Sequence, residues 1–184
     1  SNMNLSLGTD APIKVKNTDG TVASNDTVLS SASSAVNSNN EQVAIEGSVD
    51  NTDPTGGSLS FSSFTANNDG LTINGTTSDA SISVDTNLNS SIDINNIDGL
   101  TIEDLTFNGT NSADNLLEIG SGDTTTGNVS ITNNVFNDTS GQALIANVSE
   151  GSDDDPATND INKNEFNGVS EAINLKVVGN GNLD

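Results

Sequence analysis

Asp69-Gly70-Leu71-Thr72-Ile73 returns letter for letter as Asp98-Gly99-Leu100-Thr101-Ile102, 29 residues further on. Stepping that distance in both directions lands on an apolar β-former each time: Val15, Ile45, Ile73, Ile102, Ile131 and Ile161, at intervals of 30, 28, 29, 29 and 30. Two positions earlier stand Ile13, Val43, Leu71, Leu100 and Val129, with Asn159 in the last repeat. A near-constant period of this length predicts a repeat architecture, in which each unit buries its apolar face only against its neighbours.

Within a unit the pattern is that of strands. Leu100, Thr101 and Ile102 alternate apolar and polar, which turns one face inward. A bend follows, then a second strand centred on Phe107, Phe136 or Phe166, each followed directly by Asn108, Asn137 or Asn167. A third strand is expected over Leu116 to Ile119, Ala143 to Val148 and Ala172 to Val177. No helical periodicity stands out. Three short strands per turn predict an all-β fold: a single-stranded, right-handed parallel β-helix of about six coils of 28–30 residues. The right hand follows from the general preference of parallel crossovers. Residues 1–12 read as a lead-in or cap and residues 13–184 as the solenoid. The tag-like start, Ser1-Asn2-Met3, and the uncapped look of Asn182-Leu183-Asp184 lead to the expectation of a piece of a longer array, with flanking coils of the same chain as partners.

Stacked coils place like residues in columns about 4.8 Å apart. The expected columns are Val15, Ile45, Ile73, Ile102, Ile131 and Ile161 in one, and Phe107, Phe136 and Phe166 in another. Asn134 and Asn164 fall at the bend, where Leu105 takes the place one coil earlier. Asparagine suits a left-handed backbone there, and its amide can bond the same amide one coil away. Asn108 and Asn137 also head Asn-x-Ser/Thr sequons, and an inward position in the stack would leave no room for a glycan.

Composition narrows the function. Four lysines, no arginine or histidine and 26 acids give a net charge of −22, which excludes nucleic acid as a partner because phosphate affinity needs clustered basic residues. Attraction to an anionic membrane fails for the same reason, and no apolar run is long enough for direct membrane insertion. Cysteine is absent, so no disulfide framework or thiolate metal site exists. A 31% apolar content would be thin for one central core, but a solenoid needs only a few inward side chains per coil.

The unit Ile-x-x-Asn-x-Phe-Asn, at Ile131 to Asn137 and Ile161 to Asn167, resembles the repeat of pectate-lyase-like parallel β-helices. With the downstream Phe136 to Ile145 and Phe166 to Ile173 segments, it is also similar to bacterial surface β-helices of the polymorphic outer-membrane protein and autotransporter passenger type. That resemblance implies an extracellular or cell-surface location, and a structural or adhesive segment of a large secreted or surface-anchored bacterial protein. The alternative is a carbohydrate-binding or polysaccharide-processing β-helix whose active coils lie outside this stretch. Lyases of the family resemble one another in using a basic residue, commonly arginine, beside calcium-binding acids. Polygalacturonases of similar fold use aspartates with a His-Gly and an Arg-x-Lys segment. Without arginine or histidine, neither activity carries over, and the chain is expected not to be an enzyme and to have no cofactor.

One cluster could hold a metal. Asp153, Asp154, Asp155 and Asp160 crowd the longest outward loop, and a flexible set of carboxylate oxygens is what calcium prefers. The plainer reading is a solvated acidic loop, since neither an EF-hand pattern nor a Gly-Gly-x-Gly-x-Asp nonapeptide is present. A binding partner of the surface reading would be a host or environmental glycan or protein.

Overall fold

Alternation of apolar and polar residues sets the strands, and in the computed structural model these strands stack into three sheets. The structure describes residues 11–51, 69–84, 92–109, 115–120, 126–137, 141–152 and 155–179. Residues 1–10 of the expected lead-in lie outside the described residues, which open with β1 (Ile13–Lys16), β2 (Val22–Asp26) and a short helix, α1 (Leu29–Ala35). It then lays down one set of strands per turn, first β3 (Gln42–Ile45) and β4 (Ser48–Asn51). Next come β5 (Thr72–Gly75), β6 (Ser81–Val84) and β7 (Ile92–Ile94), followed by β8 (Thr101–Glu103), β9 (Thr106–Gly109) and β10 (Leu117–Ile119). The following turn carries β11 (Ser130–Thr132), β12 (Val135–Asn137) and β13 (Gln142–Ser149). After a small hairpin of β14 (Gly151–Ser152) and β15 (Asp155–Pro156), the last turn carries β16 (Asp160–Asn162), β17 (Glu165–Asn167) and β18 (Glu171–Val178).

The first sheet runs β16-β11-β8-β5-β3-β1-β2, the second β17-β12-β9-β6-β4 and the third β18-β13-β10-β7. From β3 onward the first sheet is parallel throughout, as are the other two, so the fold is a β-solenoid. Between β5 and β16 the chain makes about three full turns rather than six. The count differs because the segment around Val15 is not a coil. β1 runs antiparallel to both β2 and β3, and this hairpin with α1 closes one end of the rod. Leu29, Ala32 and Val36 of that closure are buried. The helix was not foreseen: seven residues, four of them serine, carry too short an apolar stripe to register as a period.

The inward columns follow the repeat with one correction. Ile73, Ile102, Ile131 and Ile161 are in register, but the residue stacked on Ile73 is Val43, and Ile45 pairs with Gly75. Val15 lies against Val43 from an antiparallel strand. Residues two apart on a strand share a face, so Val15, Val43 and Ile45 are all buried and periodicity alone could not choose between them. The phenylalanine column forms as expected. Phe107 and Phe136 stack with centroids 4.9 Å apart and rings 9° from parallel, and Phe136 and Phe166 with 5.1 Å and 7°. Ile82 continues the column beyond Phe107. Phe107 and Phe136 are fully buried, whereas Ile161 and Phe166, in the last coil, are half-buried.

Candidate functional site

Two bends hold the coils in register, and side-chain amides build both. Between the first and second sheets, Asp104, Asn133 and Lys163 take a left-handed backbone with φ of 57°, 61° and 53°. The left-handed residue is therefore the one before Asn134 and Asn164, not those asparagines themselves. Asn134 turns inward instead and is fully buried. Its Nδ2 donates to the Ile102 carbonyl at 3.0 Å and to Asn164 Oδ1 at 3.1 Å, while its Oδ1 accepts from the Leu105 amide at 3.1 Å. Asn164 repeats the pattern one coil on: its Nδ2 donates to the Ile131 carbonyl at 2.8 Å, and its Oδ1 accepts from the Asn134 amide at 3.0 Å.

The second bend precedes the first sheet and explains the repeated pentapeptide. Asn40, Gly70, Gly99 and Asn128 all have positive φ there. A Cβ on Gly70 would collide with the Asn40 side-chain oxygen, so glycine serves both a left-handed turn and a close approach. The preceding acids act as acceptors between coils. The Asp98 amide donates to Asp69 Oδ1 at 3.1 Å, and Asn128 Nδ2 donates to Asp98 Oδ1 at 2.8 Å.

Outside the rod, Asn108, Asn137 and Asn167 form a ladder. Asn137 Nδ2 donates to Asn108 Oδ1 at 2.9 Å, and Asn167 Nδ2 donates to Asn137 Oδ1 at 3.1 Å. Asn108 and Asn137 alternate with the buried phenylalanines and so face outward, not into the stack where a glycan would find no room.

The acidic cluster is only partly in view. Asp153 and Asp154 lie outside the described residues, and Asp155 is placed as part of β15, which pairs with β14. Asp160 is exposed on β16, and its Oδ1 accepts a hydrogen bond from Asn162 Nδ2. Among the described residues no group of three or more His, Cys, Asp or Glu converges as a metal site.

A different acid pair is brought together by register. On the outer face of the third sheet, Asp93 of β7 sits beside Glu118 of β10. Partial burial first, and the Asp93 charge second, push the Glu118 carboxyl above its ordinary value, against a lowering hydrogen bond from Asn115. Nothing in the repeat marked this pair, since it depends on the register of the third sheet.

The far end of the rod presents the other feature not read from the sequence. β16, β17 and β18 are the last strands of their sheets, and no described strand pairs with their outer edges. Ile173, Leu175 and Val177 of β18 are 38%, 52% and 54% exposed, although their counterparts Leu144, Ala146 and Val148 one coil earlier are buried. Comparison of the chain with protein-family models, with curated proteins and with solved structures finds no match.

Proposed function

We propose that the chain is a non-catalytic structural or adhesive segment of a large secreted or surface-anchored bacterial protein, akin to the pectate-lyase-like β-helices of autotransporter passengers. Such a segment acts as a stiff spacer that carries a binding surface for a glycan or protein away from the cell. The observation that supports it most is how the outward polar groups are used. The Asn108–Asn137–Asn167 ladder and the Asp98–Asn128 and Asp104–Asn133 contacts spend amides and carboxylates on the neighbouring coil. Groups committed to holding the stack are suited to stiffness rather than to turnover.

The test has two arms. Incubation with polygalacturonate and other common polysaccharides should yield no new reducing or unsaturated ends, and turnover abolished by one acid-to-amide change would refute the reading. Immobilised glycans and host matrix proteins then separate adhesion from spacing alone. The calcium reading of Asp153, Asp154, Asp155 and Asp160 is tested beside it. A cation held only by the native state raises the melting temperature beyond sodium chloride of equal ionic strength. Equal shifts mean a solvated loop.

A further inference from the structure

Six described asparagines, Asn25, Asn74, Asn108, Asn128, Asn137 and Asn147, stand two places before a serine or threonine with no proline between. That is the acceptor pattern for an N-linked sugar. Asn4 and Asn89 also head such sequons, outside the described residues. The fold treats the six differently, and we propose that Asn25 is a site of N-linked glycosylation, taking its sugar from a glycosyl diphosphate donor.

The other five are bound into the stack. Asn128 Nδ2 donates to Asp98 Oδ1 at 2.8 Å, and its Oδ1 accepts from the Thr158 amide at 2.9 Å. Asn147 Nδ2 donates to the Gly120 carbonyl at 2.6 Å, and the Ser149 hydroxyl of the same sequon accepts from the Gly151 amide at 3.1 Å. Asn137 Nδ2 donates to Asn108 Oδ1, so one bond ties up two sequons. Asn74 Oδ1 accepts from Gln42 Nε2 at 2.8 Å, and Thr76 Oγ1 donates to the Ile45 carbonyl at 3.2 Å. A sugar on any of the five would have to fit beside side chains one coil away, at a spacing of about 4.8 Å. On Asn128, Asn137 or Asn147 it would also hang from the nitrogen that ties two coils. This restriction holds whether transfer precedes or follows folding.

Asn25 differs on each count. It is exposed on β2, and its side chain enters no hydrogen bond among the described residues. Its antiparallel partner is Lys14, while the flanking Ser24 and Asp26, which bond each other, oppose the buried Val15 and Ile13. Asn25 therefore points off the outer face of the sheet. A further strand beyond β2 would lie beside this side chain and not over it, so its freedom does not rest on an open sheet edge. Thr27, which supplies the sequon hydroxyl, is exposed in the bend after β2 and likewise unbonded among the described residues. In the transfer Asn25 Nδ2 bonds to the anomeric carbon. The carbon–oxygen bond to the diphosphate breaks, its electron pair leaves on the phosphate, and the nitrogen gives up one proton. No oxidant or reductant is needed.

The folded 184-residue chain is offered two donors in separate arms, with enzymes that read Asn-x-Ser/Thr. One arm holds UDP-glucose and a soluble N-glycosyltransferase, the other a lipid-linked oligosaccharide and a membrane oligosaccharyltransferase. Peptide mapping by mass spectrometry should find the sugar on Asn25 in at least one arm, at several-fold higher occupancy than on any of the five stack asparagines. The arm that works identifies the carrier of the sugar. Cleavage at glutamate beforehand leaves all six sequons whole, and the preference should then disappear, because the stack that guards the others is gone. No sugar on Asn25 in either arm, equal occupancy at a stack asparagine, or a preference that persists in the digest overturns the proposal. Thr27→Ala removes only an exposed hydroxyl and should abolish the sugar with the circular dichroism spectrum unchanged; a sugar persisting on Asn25 overturns it as well.

Discussion

Asn134→Asp changes one NH2 group to oxygen at a fully buried site and leaves shape and volume almost untouched. The wild-type Nδ2 faces two acceptors, the Ile102 carbonyl at 3.0 Å and Asn164 Oδ1 at 3.1 Å. An ionised aspartate would point oxygen at both, away from water, while keeping only the bond from the Leu105 amide. Burial and facing acceptors both disfavour the charged form, so the folded protein should hold this carboxyl neutral near pH 7. The cost is then bounded. Protonating a free aspartate, of ordinary value about 3.9, at pH 7 takes roughly three powers of ten in proton concentration, or about 4 kcal/mol. For a chain of this size each kcal/mol moves the melting temperature by about 2–4 °C, so a fall of about 8–16 °C is expected. The sign of the pH dependence is fixed by the same argument. A carboxyl raised in the folded state is penalised above its unfolded value, and the penalty vanishes as pH falls to about 4. Thermal melts by circular dichroism between pH 4 and 8, variant against wild type, should therefore converge at the acid end, where the protonated carboxyl can donate again. A difference that stays constant with pH, or no difference at pH 7, would refute the reasoning about the buried amide.

Three further outcomes are expected. Glu118→Gln should raise the melting temperature at neutral pH and leave it unchanged below about pH 4.5, because the Glu118 carboxyl is raised in the fold and its penalty is lost as pH falls to the ordinary value of 4.5; a variant less stable at pH 7 contradicts this. Phe136→Ala, at the centre of the ring stack, should cost about 3–5 kcal/mol in urea unfolding, and Phe166→Ala distinctly less, because the last coil already half exposes that ring. Gly70→Ala should destabilise more than Gly99→Ala: both are left-handed, but only at Gly70 does the new methyl strike a side chain, whereas at Gly99 its nearest neighbours are 3.5 Å away. Equal melting temperatures for the two glycine variants would count against the close approach.

The repeat was legible because stacking demands the same residue type at the same place in each coil. That requirement shows as the doubled Asp-Gly-Leu-Thr-Ile and as the Ile and Phe columns. It fails where different geometries write the same pattern. Ile13 to Lys16 alternates like any parallel strand, and nothing in alternation records strand direction, so the antiparallel closure looked like a first coil. Val43 and Ile45 share a face, which left the column free to slip by two. Asn133 and Asn134 are the same residue type, and only the backbone shows that the first turns left-handed and the second turns inward. The strands of the third sheet were foreseen over Leu116 to Ile119, Ala143 to Val148 and Ala172 to Val177, but the register of that sheet was not. Its outer column, Asp93, Glu118, Ile145 and Asn174, is spaced by 25, 27 and 29 residues, so no fixed period finds it.

Charge shows how closely residue choice and stacking are tied. A rod with a net charge of −22 brings outward residues of adjacent coils about 4.8 Å apart, well within a Debye length of about 8 Å at physiological salt. Two carboxylates in one column would then repel, and the columns avoid this by interleaving amides. Asn133 donates to Asp104, Asn128 to Asp98 and Gln142 to Glu171. Even Asp69 and Asp98, neighbours at one bend, take separate donors, the Asp98 amide for one and Asn128 for the other. Asp93 and Glu118 depart from this rule, because they face each other across adjacent coils, and there a carboxyl is pushed upward. The abundance of asparagine is therefore not filler between acids. Asn133, Asn128 and Gln142 supply the donors that let a carboxylate sit one coil away from its neighbour. Asn134, Asn137, Asn164 and Asn167 tie the coils through carbonyls and other amides, so the acidic columns and the neutral ones are stacked by the same side-chain chemistry.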